Sequence, residues 1–225
     1  MSEQEKLADF TVVYTENQTN GKGQMGSKWQ SNESDNLTFS VFLDSSFLKL
    51  KDHFYLNCAV SISVFRVLQR LMIPQLSVKW PNDILSGHQK LSGILIENSL
   101  KSSVETYSII GIGLNVNQLE FNPLFKATSL KAILGQNFNL EELLISLVSE
   151  LQKQFELLKS KQFKELHDTY EKHLFRKNKP STFKNAEGEL FSGFIKNVTP
   201  AGELQVLVED AILKEFKLKE VKLLY

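Results

Sequence analysis

The sequence predicts an α+β fold, with a mixed, largely antiparallel sheet and helices followed by a small C-terminal SH3-like β-barrel. Apolar residues recur with helical spacing between positions 54 and 72. The strand-like runs that follow this helix form a hairpin and do not alternate with further helices. From residue 182 onward the chain consists of short β runs. Repeated βαβ units, which build a parallel sheet, are therefore not expected.

The first elements are two strands and a long helix. Residues 10–15 and 37–43 have strand-like sequences and flank a polar, glycine-rich stretch. One helix face is predicted from apolar residues three or four positions apart, namely Phe54, Cys58, Ile62, Phe65, Leu68 and Met72. Pro74 is expected to end this helix.

Three further strands follow the helix. The predicted strands are residues 76–80, 91–98 and 104–116. A polar turn at 81–87 is expected to separate the first from the second, and a short Lys/Ser turn to join the second to the third. This order indicates antiparallel pairing.

The C-terminal half begins with helices and changes character near residue 180. Asn139 with Glu142 forms a helix-start signature, and the helical segment 140–174 is expected to break near Ser160. Beyond the basic segment 176–181, five strands are predicted, with turns at Glu187–Gly188, Ser192–Gly193 and Ala201–Gly202. The predicted domains are a catalytic domain, 1–177, and a β-module, 178–225.

Composition narrows the possible functions. The 225 residues contain 26 Lys plus Arg and 26 Asp plus Glu, so no overall positive field favours nucleic acid or membrane. The lone cysteine, Cys58, lies in an apolar stretch and is expected to be buried. The four scattered histidines predict no metal site. Without a signal-peptide pattern or an apolar run long enough for a membrane span, a cytoplasmic protein is expected.

The segment Gly21-Lys22-Gly23-Gln24-Met25-Gly26 fits the pattern G-x-G-x-x-G. A dinucleotide-binding fingerprint must open a helix, but the polar residues after Gly26 have no apolar period. A phosphate-binding loop fits better, with glycines for close approach, Lys22 and Lys28 for charge, and Trp29 to close over a planar ring. A flexible surface loop with incidental lysines explains this segment equally well.

Two more segments suggest a site. Lys79 ends a predicted strand before Trp80-Pro81-Asn82-Asp83, and an ammonium fixed there could stabilise charge that builds at a phosphate. The alternative is a solvent-exposed lysine beside an ordinary β-turn. In Gly111-Ile112-Gly113-Leu114-Asn115, glycines within an apolar strand indicate either close approach of a ligand or a bulge.

Taken together, these segments resemble those of the biotin–protein ligases, in the same order and with the same spacing. The resemblance covers residues 10–120 and is weaker in the C-terminal β-module. It is carried by the residues 18–29 (QTNGKGQMGSKW), 79–83 (KWPND), 90–97 (KLSGILIE) and 110–117 (IGIGLNVN). It implies the fold of that family, which resembles the class II synthetases.

The resemblance also implies an activity. Biotin and ATP, with Mg²⁺, would give biotinyl-adenylate and pyrophosphate. A lysine of a partner, the biotin carrier domain of a biotin-dependent carboxylase, would then attack the adenylate. DNA is not expected as a partner, because no segment ahead of residue 10 could hold the repressor domain of some relatives. A membrane is not expected either, because no apolar run has the length of a membrane span. A monomer or a homodimer is compatible with the resemblance.

The resemblance assigns roles to individual residues. Lys79 is the expected catalytic residue and contacts the activated carboxyl group and phosphate. Gln18 helps to hold biotin, and Trp29 flanks the adenine end. The remaining expected binding residues lie in the loop, in the turn or along the pocket: Gly21, Lys22, Gly23, Gln24, Lys28, Asn82, Gly93, Gly113 and Asn115.

Two departures from the family pattern keep other readings open. Gln24 stands where the family usually has arginine, so Lys22 or Lys28 would have to replace it. The family's Ser-Thr-Asn turn occurs nowhere in the sequence, which indicates a shortened chain or an impaired biotin pocket. The alternatives are a lipoate or octanoate ligase or transferase of the same superfamily, and a non-enzymatic family remnant.

Overall fold

The first of two sheets contains six strands. A computed structural model describes residues 7–101, 104–122 and 126–225. The strands are β1 (Val12–Thr15), β2 (Asn36–Leu43), β3 (Leu76–Lys79), β4 (Asp83–Ser86), β5 (Gln89–Lys101) and β6 (Val104–Asn115). Their order in the sheet is β1-β2-β6-β5-β4-β3, and every neighbouring pair is antiparallel. The predicted α+β class and its antiparallel sheet are confirmed.

One face of this sheet is covered by helices. Helix α1 (His53–Arg70) packs against the sheet and against α3 (Leu140–Lys159) and α4 (Phe163–Lys172), while the short α2 (Leu130–Leu134) follows β6. Leu37, Phe39, Ile94, Ile112 and Val78 supply buried side chains of the sheet to this core. Because side chains alternate along a strand, the residues between them point to the opposite face, which the helices leave open.

Several predicted element boundaries agree with the structure. Four residues of the predicted helix face, Cys58, Ile62, Phe65 and Leu68, are buried and Phe54 is half-buried, but the helix ends at Arg70 and the predicted Met72 lies beyond it, 83% exposed. Burial raises the pKa of the Cys58 thiol. Asn139 accepts hydrogen bonds from the backbone N–H groups of Glu141 and Glu142 at 2.9 and 3.2 Å, so the predicted cap of α3 is present. The expected break lies between α3 and α4, beside Ser160.

The predicted polar turn at 81–87 contains a strand. Strand β4 lies within it because Ile84 and Leu85 are fully buried and pair with β3 and β5. Polar residues surround these two apolar positions, so the sequence shows no apolar period that would predict a strand there. The predicted Lys/Ser turn between β5 and β6, at 102–103, lies outside the described residues.

The second sheet contains the five predicted C-terminal strands, β7 (Pro180–Asn185), β8 (Leu190–Val198), β9 (Leu204–Leu207), β10 (Leu213–Phe216) and β11 (Val221–Leu224). Their order is β10-β9-β8-β7-β11, so within the described chain β10 and β11 are edges and the barrel is open, not closed. The boundary predicted between 177 and 178 stays a prediction.

The two sheets are joined by specific contacts. The Trp80 indole N–H donates to the carbonyl of Gly202 at 2.9 Å, and the Phe54 ring packs against Gly202. Gly202 has φ +92, as the predicted Ala201–Gly202 turn requires. The predicted turn at Ser192–Gly193 is wrong, because Gly193 lies inside β8 and allows Val206 of β9 to approach.

No helix in the described segments combines the length and the apolar character needed to cross a membrane.

Candidate functional site

A row of cross-strand neighbours forms the floor of the site on the open face of the six-stranded sheet. Thr38 pairs with Gly113, Gly113 with Gly93, Gly93 with Asp83, and Asp83 with Lys79. Cross-strand partners point to the same face of a sheet. Antiparallel register therefore brings Lys79 and the two glycines, which are far apart in sequence, into one line.

Above this floor lies a cavity of about 560 Å³. Its lining combines the row with the loop between β1 and β2, and it includes ten of the twelve predicted site residues. These are Gln18, Lys22, Gly23, Gln24, Lys28, Trp29, Lys79, Asn82, Gly93 and Gly113. The lysine and the glycine-rich loop thus face a shared cavity, as the ligase interpretation requires. The roles of the individual residues stay predictions.

The loop from Gly21 to Trp29 is folded back on itself. The Gly23 N–H donates to the Ser27 carbonyl at 2.7 Å, and the Trp29 N–H donates to the Gly21 carbonyl at 3.0 Å. A side chain at Gly21 would meet the Trp29 carbonyl at 2.3 Å, so only glycine fits this approach. The loop holds Trp29 directly above the sheet.

The Trp29 indole lies on the glycine floor. A Cβ atom added to Gly113 would be 2.4 Å from the indole ring, and one added to Gly93 would be 3.2 Å from it. The two glycines therefore make room for a planar group against the sheet. The Trp29 indole N–H is buried and has no hydrogen-bond partner among the described residues, and the same holds for the side-chain oxygen of Gln18.

Asp83 pairs with two lysines at one end of the row. Its carboxylate oxygens lie 3.2 Å from the Lys79 Nζ and 2.5 Å from the Lys90 Nζ. The Lys90 ammonium also lies 5.6 Å from the Trp29 ring centroid. One carboxylate therefore fixes two cations at the edge of the cavity, where they could bind an anionic group.

Sequence reasoning assigned the catalytic role to Lys79 alone and left out Lys90. Lys90 lines the same cavity as Lys79 and shares its carboxylate partner. Its signal was present in the sequence, because Lys90 opens the third of the segments that carry the family resemblance. The register that places it beside Lys79 could not be read from the sequence.

The turn that carries Lys79 and Asp83 is held from three sides. The Pro81 carbonyl, after a cis Trp80–Pro81 bond, accepts hydrogen bonds from the Asn57 side chain at 2.7 Å and the Tyr170 hydroxyl at 3.0 Å. The Asn82 side chain donates to the carbonyl of Ile94. These bonds fix the strand end, so the ammonium of Lys79 starts from a rigid backbone.

Asn115 has a different environment from the other predicted binding residues. Its side chain is buried, and its amide nitrogen donates to the Thr128 carbonyl at 3.0 Å and the Lys90 carbonyl at 3.4 Å. In this structure Asn115 therefore fixes the backbone of Lys90. A direct contact between Asn115 and a ligand stays a prediction.

A second cavity, of about 900 Å³, adjoins the first and lies between the two sheets. Both cavities share Lys28, Trp29, Lys79, Pro81 and Lys90 in their linings. The larger one is lined by six lysines and, among the described residues, by no Asp or Glu: Lys28, Lys79, Lys90, Lys126, Lys219 and Lys222. In a chain with balanced charge, this concentration of positive charge predicts an anionic ligand.

Tyr225 closes one side of this second cavity. Its ring centroid lies 5.6 Å from the Lys79 Nζ and 4.9 Å from the Lys126 Nζ. Burial, and next the charge of Asp83, raise the pKa of the Tyr225 hydroxyl. Nothing in the sequence indicated that this residue lies at the site.

The described residues contain no cluster of three His, Cys, Asp or Glu side chains suited to a metal. A Mg²⁺ ion that arrives with a nucleotide needs only one or two protein carboxylates, because phosphates and water complete its shell. Asp83 and Glu97 both line the smaller cavity and fit this requirement.

Comparisons with known proteins agree with this geometry. The profile of the family described as "Biotin/lipoate A/B protein ligase family" matches residues 2–115. The chain is 33% identical to the bifunctional ligase/repressor BirA of Bacillus subtilis over 133 residues, which are 57% of this chain and 41% of that protein. It is 28% identical to BirA of Escherichia coli over 224 residues, 97% of this chain and 68% of that protein.

A solved structure is similar over nearly the whole chain. The biotin protein ligase of Aquifex aeolicus in complex with biotin and ATP superimposes with a TM-score of 0.82 at 27% identity. The match covers 98% of this chain and 91% of that protein. The chain spans less than half the length of the Bacillus subtilis relative.

Proposed function

The chain belongs to the biotin/lipoate A/B protein ligase family, and from this membership we propose that it activates biotin with ATP and transfers it to a lysine of a biotin carrier domain. One structural observation supports the proposal in addition to family membership. The glycine-floored cavity has two lysines fixed on Asp83 at one end and opens into a lysine-lined cleft. This arrangement suits a carboxylate beside a polyphosphate.

In the first step, an oxygen of the biotin carboxylate forms a bond to the α-phosphorus of ATP, and the bond to pyrophosphate breaks. Negative charge builds on the phosphoryl oxygens during this exchange. The ammonium groups of Lys79 and Lys90 would stabilise this charge, because preorganised cations lower the barrier where charge develops. The products are biotinyl-adenylate and pyrophosphate.

In the second step, the amine of the partner's lysine attacks the carbonyl carbon of the adenylate. An amide bond forms, AMP leaves with the electrons of the broken C–O bond, and the amine loses a proton. The attacking group belongs to the partner, so the chain needs no nucleophile of its own. Its contribution would be to exclude water from the mixed anhydride, with Trp29 and the 21–29 loop covering the floor.

The nucleotide would lie across both cavities. Trp29 lies where the two cavities meet and offers an indole face for stacking, and the lysines of the larger cavity would hold the phosphates. Mg²⁺ would enter on ATP and neutralise part of the phosphate charge. Because the two oxygens of Asp83 hold Lys79 and Lys90, we propose Glu97, the other carboxylate named in the lining of the smaller cavity, as a protein ligand for this ion.

The Aquifex aeolicus ligase, whose structure holds biotin and ATP, supports both substrates for this chain. For the partner, the proposal rests on a relative from Mycobacterium tuberculosis described as a biotin–[acetyl-CoA-carboxylase] ligase, 32% identical over 113 residues. We accordingly propose the biotin carrier domain of a carboxylase as the acceptor. The proposed location is the cytoplasm.

The test is a mass spectrum of a biotin carrier domain after incubation with this chain, ATP and biotin. The proposal predicts a carrier heavier by one biotinyl group. A parallel reaction contains lipoate and a lipoate-accepting domain, and a third contains the Lys79→Ala variant. Modification with lipoate only would assign the chain to the lipoate ligases, and no modification with either acid would favour a non-enzymatic family member.

A further inference from the structure

Thr38 carries an unsatisfied hydroxyl at the floor of the smaller cavity. The residue is only 8% exposed, and its oxygen is buried without a hydrogen-bond partner among the described residues. Buried polar groups in folded proteins are almost always paired, so each exception needs an explanation. The side-chain oxygen of Gln18 and the indole N–H of Trp29 are also buried without a partner among the described residues, and both residues line the same cavity.

This grouping suggests that a ligand supplies the missing partners. Other unpaired buried hydroxyls, such as that of Ser61 on α1, lie outside both cavity linings. Thr38, in contrast, directly neighbours Gly113 in the floor. An acceptor or donor of a bound molecule could therefore reach its hydroxyl.

The separation between Thr38 and Lys90 suits an extended molecule that binds with one end at each residue. The Lys90 ammonium lies above Gly93, 3.0 Å from where a Cβ atom would be. Gly93 and Thr38 are separated in the row by Gly113 alone, and two strand spacings amount to about 10 Å. The Trp29 indole occupies the space above Gly113 in this structure. An extended acid that takes its place there, with its carboxylate at Lys90, would have its far ring at Thr38.

The two acids handled by this family differ at that ring. Biotin and lipoate both carry a carboxylate on a chain of four methylene groups. The biotin ring contains a cyclic urea with N–H donors and a carbonyl acceptor, whereas the dithiolane ring of lipoate has neither. The hydroxyl of Thr38 can pair with the first ring and is left unpaired by the second.

We propose that Thr38 is a specificity-determining residue, whose hydroxyl selects an acid with a cyclic urea over one with an apolar ring. This inference rests on the proposed function and adds the basis of its substrate choice. A site built to pair with a polar group discriminates strongly against an analogue that lacks the group, because its own buried polar atoms then stay unsatisfied.

The test compares Thr38→Val, which replaces only the hydroxyl by a methyl group, with Thr38→Ser, which keeps it. Binding of biotin, desthiobiotin and lipoate is measured by calorimetry, and KM and kcat by pyrophosphate exchange. Desthiobiotin keeps the cyclic urea and lacks the thioether ring. Ser61→Ala is the control, since it removes a buried hydroxyl that has no partner among the described residues and lies outside both cavity linings.

We expect Thr38→Val to lower the affinity for biotin and desthiobiotin by roughly tenfold and to act mainly on KM. Its affinity for lipoate should equal that of the wild type. Thr38→Ser should keep most of the biotin affinity. Without ligand, Thr38→Val should melt no lower than the wild type, since it loses only an unsatisfied group. Equal affinity of wild type and Thr38→Val for biotin would overturn the inference while leaving the proposed function intact.

Equal losses of affinity for biotin and for lipoate in Thr38→Val would also overturn the inference, because they would indicate a general change of the pocket. The wild-type protein tests the proposed function separately. A wild type that activates lipoate and not biotin would refute both the proposed function and the inferred selection.

Discussion

At the scale of single residues, Asp83 connects the two lysines of the site. Its side chain is only 15% exposed, and it holds Lys79 and Lys90 on its two oxygens. A largely buried carboxylate between two ammonium groups leaves net positive charge facing the cavity. A substrate anion is therefore attracted to the pair of lysines, because one carboxylate neutralises only one of their two charges.

The first prediction concerns these two lysines. Lys79→Ala and Lys90→Ala should each lower the rate of biotin-dependent pyrophosphate exchange by about 100-fold or more, because each removes a cation that acts on developing charge. Circular dichroism should show an unchanged fold, as both side chains are partly exposed. Lys214→Ala, at an exposed position of β10, is the control. Full activity in Lys79→Ala would refute its assigned role.

A second prediction at this scale uses two glycines of one strand. A Cβ atom at Gly113 would overlap the Trp29 ring at 2.4 Å, whereas one at Gly111 would meet its nearest neighbour, the Leu95 carbonyl, at an ordinary 3.5 Å. Gly113→Ala should therefore displace the indole and red-shift its fluorescence, and Gly111→Ala should not. The measurement requires a Trp80→Phe background, in which Trp29 is the sole tryptophan. Identical spectra for both variants would contradict this packing.

At the scale of elements, the sequence predicts what local patterns encode. The apolar spacing of α1 and the Asn139 cap of α3 are local signals, and both elements are present. Strand β4 was missed because its buried pair, Ile84 and Leu85, is too short for a period to show. Register is a property of pairs of strands, so the row that joins Lys79 to the glycine floor could not be derived from the sequence.

The third prediction concerns the contact between α1 and α3. Glu150 on α3 is 3% exposed, and its carboxylate lies 2.8 Å from Arg70 and 3.6 Å from Arg66 on α1. Burial acts to raise the pKa of Glu150, but hydrogen bonds from Arg70 and Gln154 and the nearby positive charges outweigh it, so the pKa is lowered. The ionised carboxylate therefore stabilises the folded state.

Because the folded-state pKa lies below the unfolded value of about 4.5, this stabilisation is complete above that pH and is lost as pH falls through the folded pKa. Glu150→Gln should lower the free energy of unfolding by about 1–3 kcal/mol at neutral pH, and the difference from wild type should shrink in acid. Urea denaturation at several pH values measures it. Glu156→Gln, at an exposed position on α3, should have little effect at any pH.

At the scale of the whole molecule, the proposed site needs both sheets. The first sheet supplies the glycine floor and the paired lysines, and the second supplies Lys219 and Lys222 to the larger cavity. The hydrogen bond from Trp80 to Gly202 ties the C-terminal sheet to the turn that carries Lys79. Composition gave no hint of this concentration of charge, because the chain as a whole is balanced.

The last prediction tests whether the C-terminal sheet takes part in nucleotide binding. Lys222 lies on β11, is exposed and lines the larger cavity, so Lys222→Glu should place a negative charge beside the bound phosphates. The KM for ATP should rise by roughly tenfold at low salt, since a reversed charge changes the attraction by two units, and the effect should weaken as salt screens it. Biotin affinity without nucleotide should stay the same, because Lys222 does not line the smaller cavity.

Lys214→Glu makes the same charge change on β10 outside both cavities and separates a local effect from a change in net charge. Pyrophosphate exchange at varied ATP and fixed saturating biotin measures the difference. If both variants raised the KM for ATP equally, only the overall field would matter, and the cleft between the sheets would not be the nucleotide site. If only Lys222→Glu did so, the second sheet would be part of the proposed nucleotide site as well as of the fold.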